Sequence, residues 1–148
     1  LNVIDNECLN IDKMVDFLRK VDGLFNPPLS ALHNIRNYVE KILKEAKVYV
    51  CEEDDAYVAC NVFYCNSGVY DYAKLTLLAS TTKGCANLIV PKMIEYCRFY
   101  QVKGIITQTW LSNEAAKKLY EKFGFKQVST VRNRFYTDEP SIVYRLEF

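Results

Sequence analysis

Two short stretches of the chain carry residue types at spacings that can do chemistry. One is Thr81-Thr82-Lys83-Gly84-Cys85-Ala86, where a strand-like run gives way to a helical pattern. The free N–H groups and the dipole of a helix start both favour an anion such as phosphate. Gly84 lets the backbone approach closely, and Lys83 adds positive charge. Taken alone, one glycine at such a junction also reads as an ordinary turn. The other stretch is Trp110 to Phe125, WLSNEAAKKLYEKFGF. Ser112 and Asn113 are both good N-cap types, and Glu114 places a carboxylate in the first turn, where the helix dipole favours it. Ala116, Leu119, Tyr120 and Phe123 share one helical face, Lys117, Lys118, Glu121 and Lys122 fall mostly on the other, and Gly124 stops the helix as a left-handed C-cap. Tyr120 stands where a polar residue on a helix can do chemistry. Spacing alone equally allows it to be a core aromatic whose hydroxyl reaches out.

Elsewhere the reactive side chains are sparse. The one histidine, His33, opens a predicted helix and reads as a surface or packed residue. The six cysteines include no C-x-x-C pair, and a zinc site needs closely spaced Cys and His ligands. Most lie in apolar runs and read as reduced, buried, small hydrophobes of a cytoplasmic protein, with no metal. Cys85 sits where a helix start lowers a thiol pKa, but it has no histidine partner in view.

The chain that must position these residues has 148 of them, a length that suits one domain over 1–148. Half are hydrophobic and a quarter charged, enough for a packed core. Nineteen Lys and Arg against 18 Asp and Glu leave a formal charge of +1, which argues against broad binding to nucleic acid or membrane. No apolar run is long enough to span a bilayer, and no signal peptide is expected. The chain begins at Leu1 rather than Met, which fits a few missing leading residues.

Periodicity predicts helices over Asn10–Asp22 and Leu32–Ala46, the second with Arg36–Glu40 and Lys41–Glu45 pairs. Phe25-Asn26-Pro27-Pro28-Leu29-Ser30 between them reads as a stiff connector or a substrate-side loop. Strands follow at Lys47–Cys51, Ala56–Cys65 and Tyr72–Ser80, with acidic Glu52–Asp55 and Asn66-Ser67-Gly68 as turns. Leu75, Leu77 and Ala79 are expected on one face of the third strand, opposite Lys74, Thr76, Leu78 and Ser80. A helix runs to about Tyr100, with Pro91 predicting a kink or a late start. Val102–Trp110 reads as a central strand, and Lys126–Phe135 and Ser141–Phe148 as two last strands joined by Thr137-Asp138-Glu139-Pro140. This order predicts an α+β fold with one central, largely antiparallel sheet flanked by helices in three α/β/α layers.

The string N-E-A-A-x-x-L-Y-x-x-x-G-F resembles the C-terminal signature of the GNAT acetyltransferase superfamily, and the likeness extends over most of the chain. The family's phosphate loop typically has Arg or Gln, two residues, Gly, one residue, then Gly or Ala. Gly84 and Ala86 fit that spacing, while Thr81 stands in place of the Arg or Gln, and Leu77-Leu78-Ala79-Ser80 before it is shorter than usual. The resemblance implies a GNAT-like domain that uses acetyl-CoA (coenzyme A) to acetylate the amine of a small molecule or amino sugar, and it allows a homodimer. It implies that the backbone of Leu77, Leu78, Ala79 and Ser80 pairs with the pantetheine arm as an added strand. The amides of Lys83, Gly84, Cys85, Ala86 and Asn87 would hold the pyrophosphate, and Asn113 would contact the cofactor. Tyr120 would protonate the leaving thiolate, and a backbone N–H near Leu78 or Ala79 would meet the oxyanion. A base is not evident: Asp71 and Glu52 are distant candidates beside a backbone- or water-relayed proton. The alternative reading is a non-catalytic GNAT-like domain binding an acyl-CoA or a partner; a third is an acyltransferase for longer acyl chains.

Overall fold

Period-two burial along the strand-like runs closes them into one sheet. The computed structural model describes residues 1–66, 71–132 and 138–148. Among these, seven strands pair in the order β1-β2-β3-β4-β5-β7-β6: β1 Asn2–Asp5, β2 Lys47–Glu53, β3 Ala56–Tyr64, β4 Tyr72–Ser80, β5 Gly104–Trp110, β6 Lys126–Val131 and β7 Ser141–Glu147. Every pairing is antiparallel except β4 with β5. Helices α1 (Ile11–Val21), α2 (Leu29–Leu32) and α3 (Ile35–Glu45) precede the run of strands, α4 (Ala86–Phe99) links β4 to β5, and α5 (Glu114–Lys122) follows β5. The mixed, largely antiparallel sheet flanked by helices is the architecture the element order predicts.

Two cores sit on the two faces of the sheet. Met14, Phe17 and Leu18 of α1 and Val39 and Ile42 of α3 pack with Val48, Val50 and Val62 on one face. Val90, Met93 and Cys97 of α4, Tyr120 of α5, and Phe63, Ile105 and Tyr144 fill the other. Asn10 caps α1 by accepting from the Lys13 N–H at 3.0 Å, as its side-chain type favours.

Several boundaries differ from the sequence expectation. β1 was not anticipated; four half-exposed or exposed residues carry too short a pattern to be read as a strand. The expected helix from Leu32 is two: Leu32 ends α2, His33 is extended, and Asn34 caps α3 by accepting from Asn37 N–H at 3.0 Å. Arg36 donates to Asp12 of α1 at 2.7 Å rather than pairing with Glu40 along its own helix. β2 runs on through Glu53, so the turn is only Asp54-Asp55, whose φ values of 50° and 65° make the type I′ geometry that matches strand twist. α4 passes through Pro91 without a late start. The expected turn residues Ser67 and Gly68 and strand residues 133–135, with Thr137, lie outside the described residues. Among the described residues no helix is long and apolar enough to cross a membrane.

The expected shared face of Leu75, Leu77 and Ala79 is also not found. Val62 pairs with Leu77 but Phe63 pairs with Leu75, so Thr76 is one residue too many on β4. This bulge reverses the alternation. Leu75 packs in the core under α4 and α5, whereas Leu77 and Ala79 pack in the core under α1 and α3. The Thr76 hydroxyl closes the irregularity by donating to the Val62 carbonyl at 3.2 Å.

Candidate functional site

The same bulge opens the sheet. β4 and β5 pair in parallel from Tyr72↔Gly104 to Leu75↔Thr107, and there the pairing stops. β4 continues to Ser80, held on its other side by β3, and β5 continues to Trp110, held by β7. The two strands therefore fork, and the edge of β4 facing β5 is unpaired from Thr76 onward. An open strand edge can accept an extended, amide-containing partner.

A cleft of about 460 Å³ lies in the fork. Its walls are Leu77, Leu78, Ala79 and Ser80 of β4, Lys83, Gly84, Ala86 and Asn87 of the following turn and helix start, Thr107–Trp110 of β5, and Asn113, Ala116, Leu119 and Tyr120 of α5. Of the residues expected to contact the cofactor, with Tyr120, all line this one cleft except Cys85. The Cys85 side chain is buried with Cys51, Ala59 and Ile89 beneath the turn, and its N–H is already bonded to Thr82 O at 3.3 Å. It is therefore neither a cleft donor nor an accessible nucleophile.

The turn is held by its own side chains. Ser80 Oγ donates to Thr82 O at 2.6 Å and accepts from Thr82 N–H at 3.2 Å. Gly84 has φ +88°, a left-handed conformation that glycine adopts without strain. The Asn87 N–H is used locally, bonding Gly84 O at 3.1 Å, while the N–H groups of Lys83, Gly84 and Ala86 have no partner among the described residues. Three free donors, a helix start and the Lys83 ammonium make an anion seat. The Thr81 side chain is not part of it; both its N–H and its hydroxyl bond Val58 O, at 2.8 and 3.2 Å, at the end of β3. Lys122 Nζ donates to Asn87 Oδ1 at 2.7 Å, tying the end of α5 to the start of α4 beside the seat.

Tyr120 sits at the apex of the fork. It is buried, with its ring 5.4 Å from Phe125 and 5.5 Å from Tyr144. Burial pushes its hydroxyl above the ordinary tyrosine range; hydrogen bonding with Thr107 pulls the other way and is the smaller effect. Thr107 is the β5 half of the last paired rung, and its hydroxyl donates to Leu75 O at 2.9 Å. The ring of Tyr120 is therefore core, and its hydroxyl lies beside Thr107, where the strands part. Asn113 caps α5, accepting from Ala116 N–H at 3.3 Å and donating to Thr109 Oγ1 at 2.8 Å. Gly124, at φ +90°, ends the helix as expected.

A second groove of about 500 Å³ meets the first through the fork, sharing Phe25, Thr76, Leu77, Gln108, Thr109 and Trp110. Its other walls include Leu29, His33, Tyr38, Lys41, Tyr64 and Lys74. From the connector, Phe25, Asn26 and Pro27 all line this groove. Tyr38 is pushed well above its ordinary pKa by burial, with Thr76 as its hydrogen-bonding neighbour. His33 is lowered by burial and then by Lys41, so it is neutral at pH 7. Gln108 Oε1 is buried and has no hydrogen-bond partner among the described residues, a vacancy that costs about 1–3 kcal/mol unless something else fills it. Gln108, Thr107, Tyr38, Trp110 and Lys122 were not singled out by sequence. For Thr107, Gln108 and Trp110 the alternation of side chains on β5 was the only available signal, and it does not say that the strands fork; Tyr38 and Lys122 reach the site from α3 and α5. The two carboxylates considered as bases are elsewhere: Glu52 pairs with Lys13 at 3.2 Å and Asp71 with Lys103 at 3.6 Å. Among the described residues no cluster of His, Cys, Asp and Glu could hold a metal ion.

No protein-family model and no curated protein sequence matches the chain. Solved structures do. An acetyltransferase of the GNAT family from Bacillus cereus ATCC 10987 aligns with a TM-score of 0.75 at 20% identity, covering 99% of this chain and 96% of that one. The ribosomal-protein-alanine N-acetyltransferase from Brucella melitensis gives a TM-score of 0.79 at 14% identity, with 100% of both chains covered. The chain has the GNAT acetyltransferase fold. A further protein with this fold, described as a streptothricin acetyltransferase from Bacillus anthracis str. Ames, was solved in complex with acetyl coenzyme A. It aligns with a TM-score of 0.61 at 22% identity, over 70% of this chain and 63% of that chain. In the present GNAT fold the forked strands, the anion seat and Tyr120 converge on one cleft.

Proposed function

We propose that the chain is a single GNAT-type N-acetyltransferase domain that takes its acetyl group from acetyl-CoA. The observation that carries this reading is the convergence of an open β4 edge, three free N–H groups with Lys83, and the buried Tyr120 hydroxyl on one cleft. The residues fit the cofactor part by part. The edge of Leu77–Ser80 offers backbone partners to the amides of a pantetheine arm, and the N–H groups of Lys83, Gly84 and Ala86 offer donors to a pyrophosphate. When bound, acetyl-CoA supplies an acetyl thioester at the fork.

The residues around the fork do the rest. A backbone N–H of the open β4 edge donates to the thioester carbonyl oxygen, where charge grows as the amine adds. The amine nitrogen forms the new C–N bond and the C–S bond breaks. Tyr120 gives its proton to the departing sulfur, and the amine's own surplus proton leaves through water in the second groove, so charge and atoms balance. Tyr120 recovers its proton from solvent. Apolar Leu77, Leu78 and Ala79 exclude water from the site of transfer.

The acceptor is an amine that enters from the second groove, since that groove shares the walls of the fork and none of the residues of the anion seat. Acetyl-CoA is expected to raise the melting temperature and to be consumed with release of free thiol when a suitable amine is present. The second reading, a GNAT-like domain that binds without catalysing, draws on the Thr81 side chain being tied to β3 instead of the cleft. A thermal shift with acetyl-CoA but no thiol release with any amine selects that reading; no shift rejects both.

A further inference from the structure

We propose that the second groove selects an amine that also carries an anionic group on an apolar or aromatic body, with the amine at Gln108 and the anion toward Lys41. This rests on the acetyl-transfer reading of the neighbouring cleft. The groove has a polar end and an apolar middle. At the fork, Gln108 lines both grooves, and its Oε1 is a buried acceptor with no partner among the described residues. An amine N–H is the group such an oxygen accepts. Phe25, Tyr38, Tyr64 and Trp110 form the walls, large flat surfaces suited to an apolar body.

Charge decides the class. The ionisable side chains lining the groove are Lys41, Lys74, His33 and the two tyrosines, and no Asp or Glu is among them. The residues outside the description, 67–70 and 133–137, contain no Asp or Glu either, and Arg134 is one of them. Glu45 acts on the Tyr64 hydroxyl from α3 but does not line the groove. Polyamines, aminoglycosides and lysine-rich peptides need carboxylates to offset several ammonium groups, and here they would meet the Lys41 ammonium instead. A carboxylate or phosphate on the acceptor meets Lys41 with the right sign. Neutral His33 and the Tyr38 ring, 4.8 Å apart, brace that end of the groove.

The test uses Trp110, the chain's single tryptophan, which lines both grooves and reports their occupancy by fluorescence. The protein saturated with coenzyme A is titrated with phenylalanine, phosphoethanolamine, phenylalaninamide and spermidine. The expected result is half-saturation by phenylalanine or phosphoethanolamine at concentrations at least tenfold below those of the amide and spermidine. The first two compounds distinguish a carboxylate from a phosphate. Lys41→Ala, an exposed substitution, should erase the tenfold preference and leave the amide unchanged. Gln108→Leu should weaken every amine that binds. Spermidine or the amide binding as well as the anionic amines, or no binding by either anionic amine, overturns the proposal. A parallel thermal shift with acetyl-CoA separates the two failures: a shift without an anion preference sinks this inference alone, and no shift sinks the acetyl-transfer reading.

Discussion

Leu75 and Leu77, two residues apart on one strand, face opposite sides of the sheet. Leu75 packs under α4 and α5, and Leu77 under α1 and α3. In a regular strand residues two apart share a face, so the reversal requires one extra residue, and Thr76 is that residue. The rung at Leu75↔Thr107 is also the last between β4 and β5. One bulge thus sets both the partition of the core and the opening of the cleft.

Deleting Thr76 should therefore be tolerated by the core. Leu75 and Leu77 would become neighbours on a regular strand and keep their present opposite faces. β4 would no longer bend away from β5, and the fork would narrow. The expected outcome is a folded protein by circular dichroism that gives no thermal shift with acetyl-CoA. Binding unchanged by the deletion would show that the bulge is not what opens the cleft.

Tyr120→Phe removes only a hydroxyl from a ring packed on Phe125 and Tyr144. Turnover should fall roughly 10²-fold or more, in line with loss of a general acid, with acetyl-CoA affinity within a few-fold of the parent. Because burial raises the Tyr120 pKa, its proton stays in place across neutral and mildly alkaline pH. Any alkaline loss of rate due to Tyr120 should begin above about 10, the ordinary tyrosine value. A pH–rate profile of the two proteins checks both points.

Gly84→Val places a β-branched side chain at φ +88°. Open space surrounds the position, so the penalty is backbone strain, about 1–2 kcal/mol. Relief of that strain would turn the free N–H groups of the seat, and acetyl-CoA binding should weaken at least tenfold while the melting temperature drops by a few degrees. Isothermal titration together with a melting curve separates the two effects.

Stability should decline as pH rises through and beyond 9. Burial raises the thiol of Cys51 from its ordinary 9.0 to about 11, and raises those of Cys60 and Cys97 further. Tyr38 and Tyr120 are raised from 10.0. Between the unfolded and folded values the unfolded chain has lost protons that the folded chain keeps, so unfolding becomes easier with each step in pH. The stabilisation is whole below pH 9 and lost as pH climbs toward the folded values. Urea melts at pH 8 and pH 10 should show it, and Cys60→Ala should flatten the slope.

The Trp110–Phe125 stretch by itself determined a capped helix, its stop at Gly124 and the placing of Tyr120 on the inward face. Those features depend on contacts within a few residues: the Asn113 cap to Ala116, the spacing of Leu119 and Tyr120, and the left-handed glycine. The turn at Gly84 and the bounds of β4 were legible for the same reason. Tertiary structure alone decided where β4 parts from β5, because a bulge is a mismatch between two strands and leaves no mark on the one that carries it. It also decided that the Cys85 thiol turns into the core, that the loop at Phe25–Pro27 lines one groove with Trp110, and that Gln108 Oε1 is buried with no partner among the described residues. Each of these depends on residues far apart in the chain, which spacing along one segment does not record.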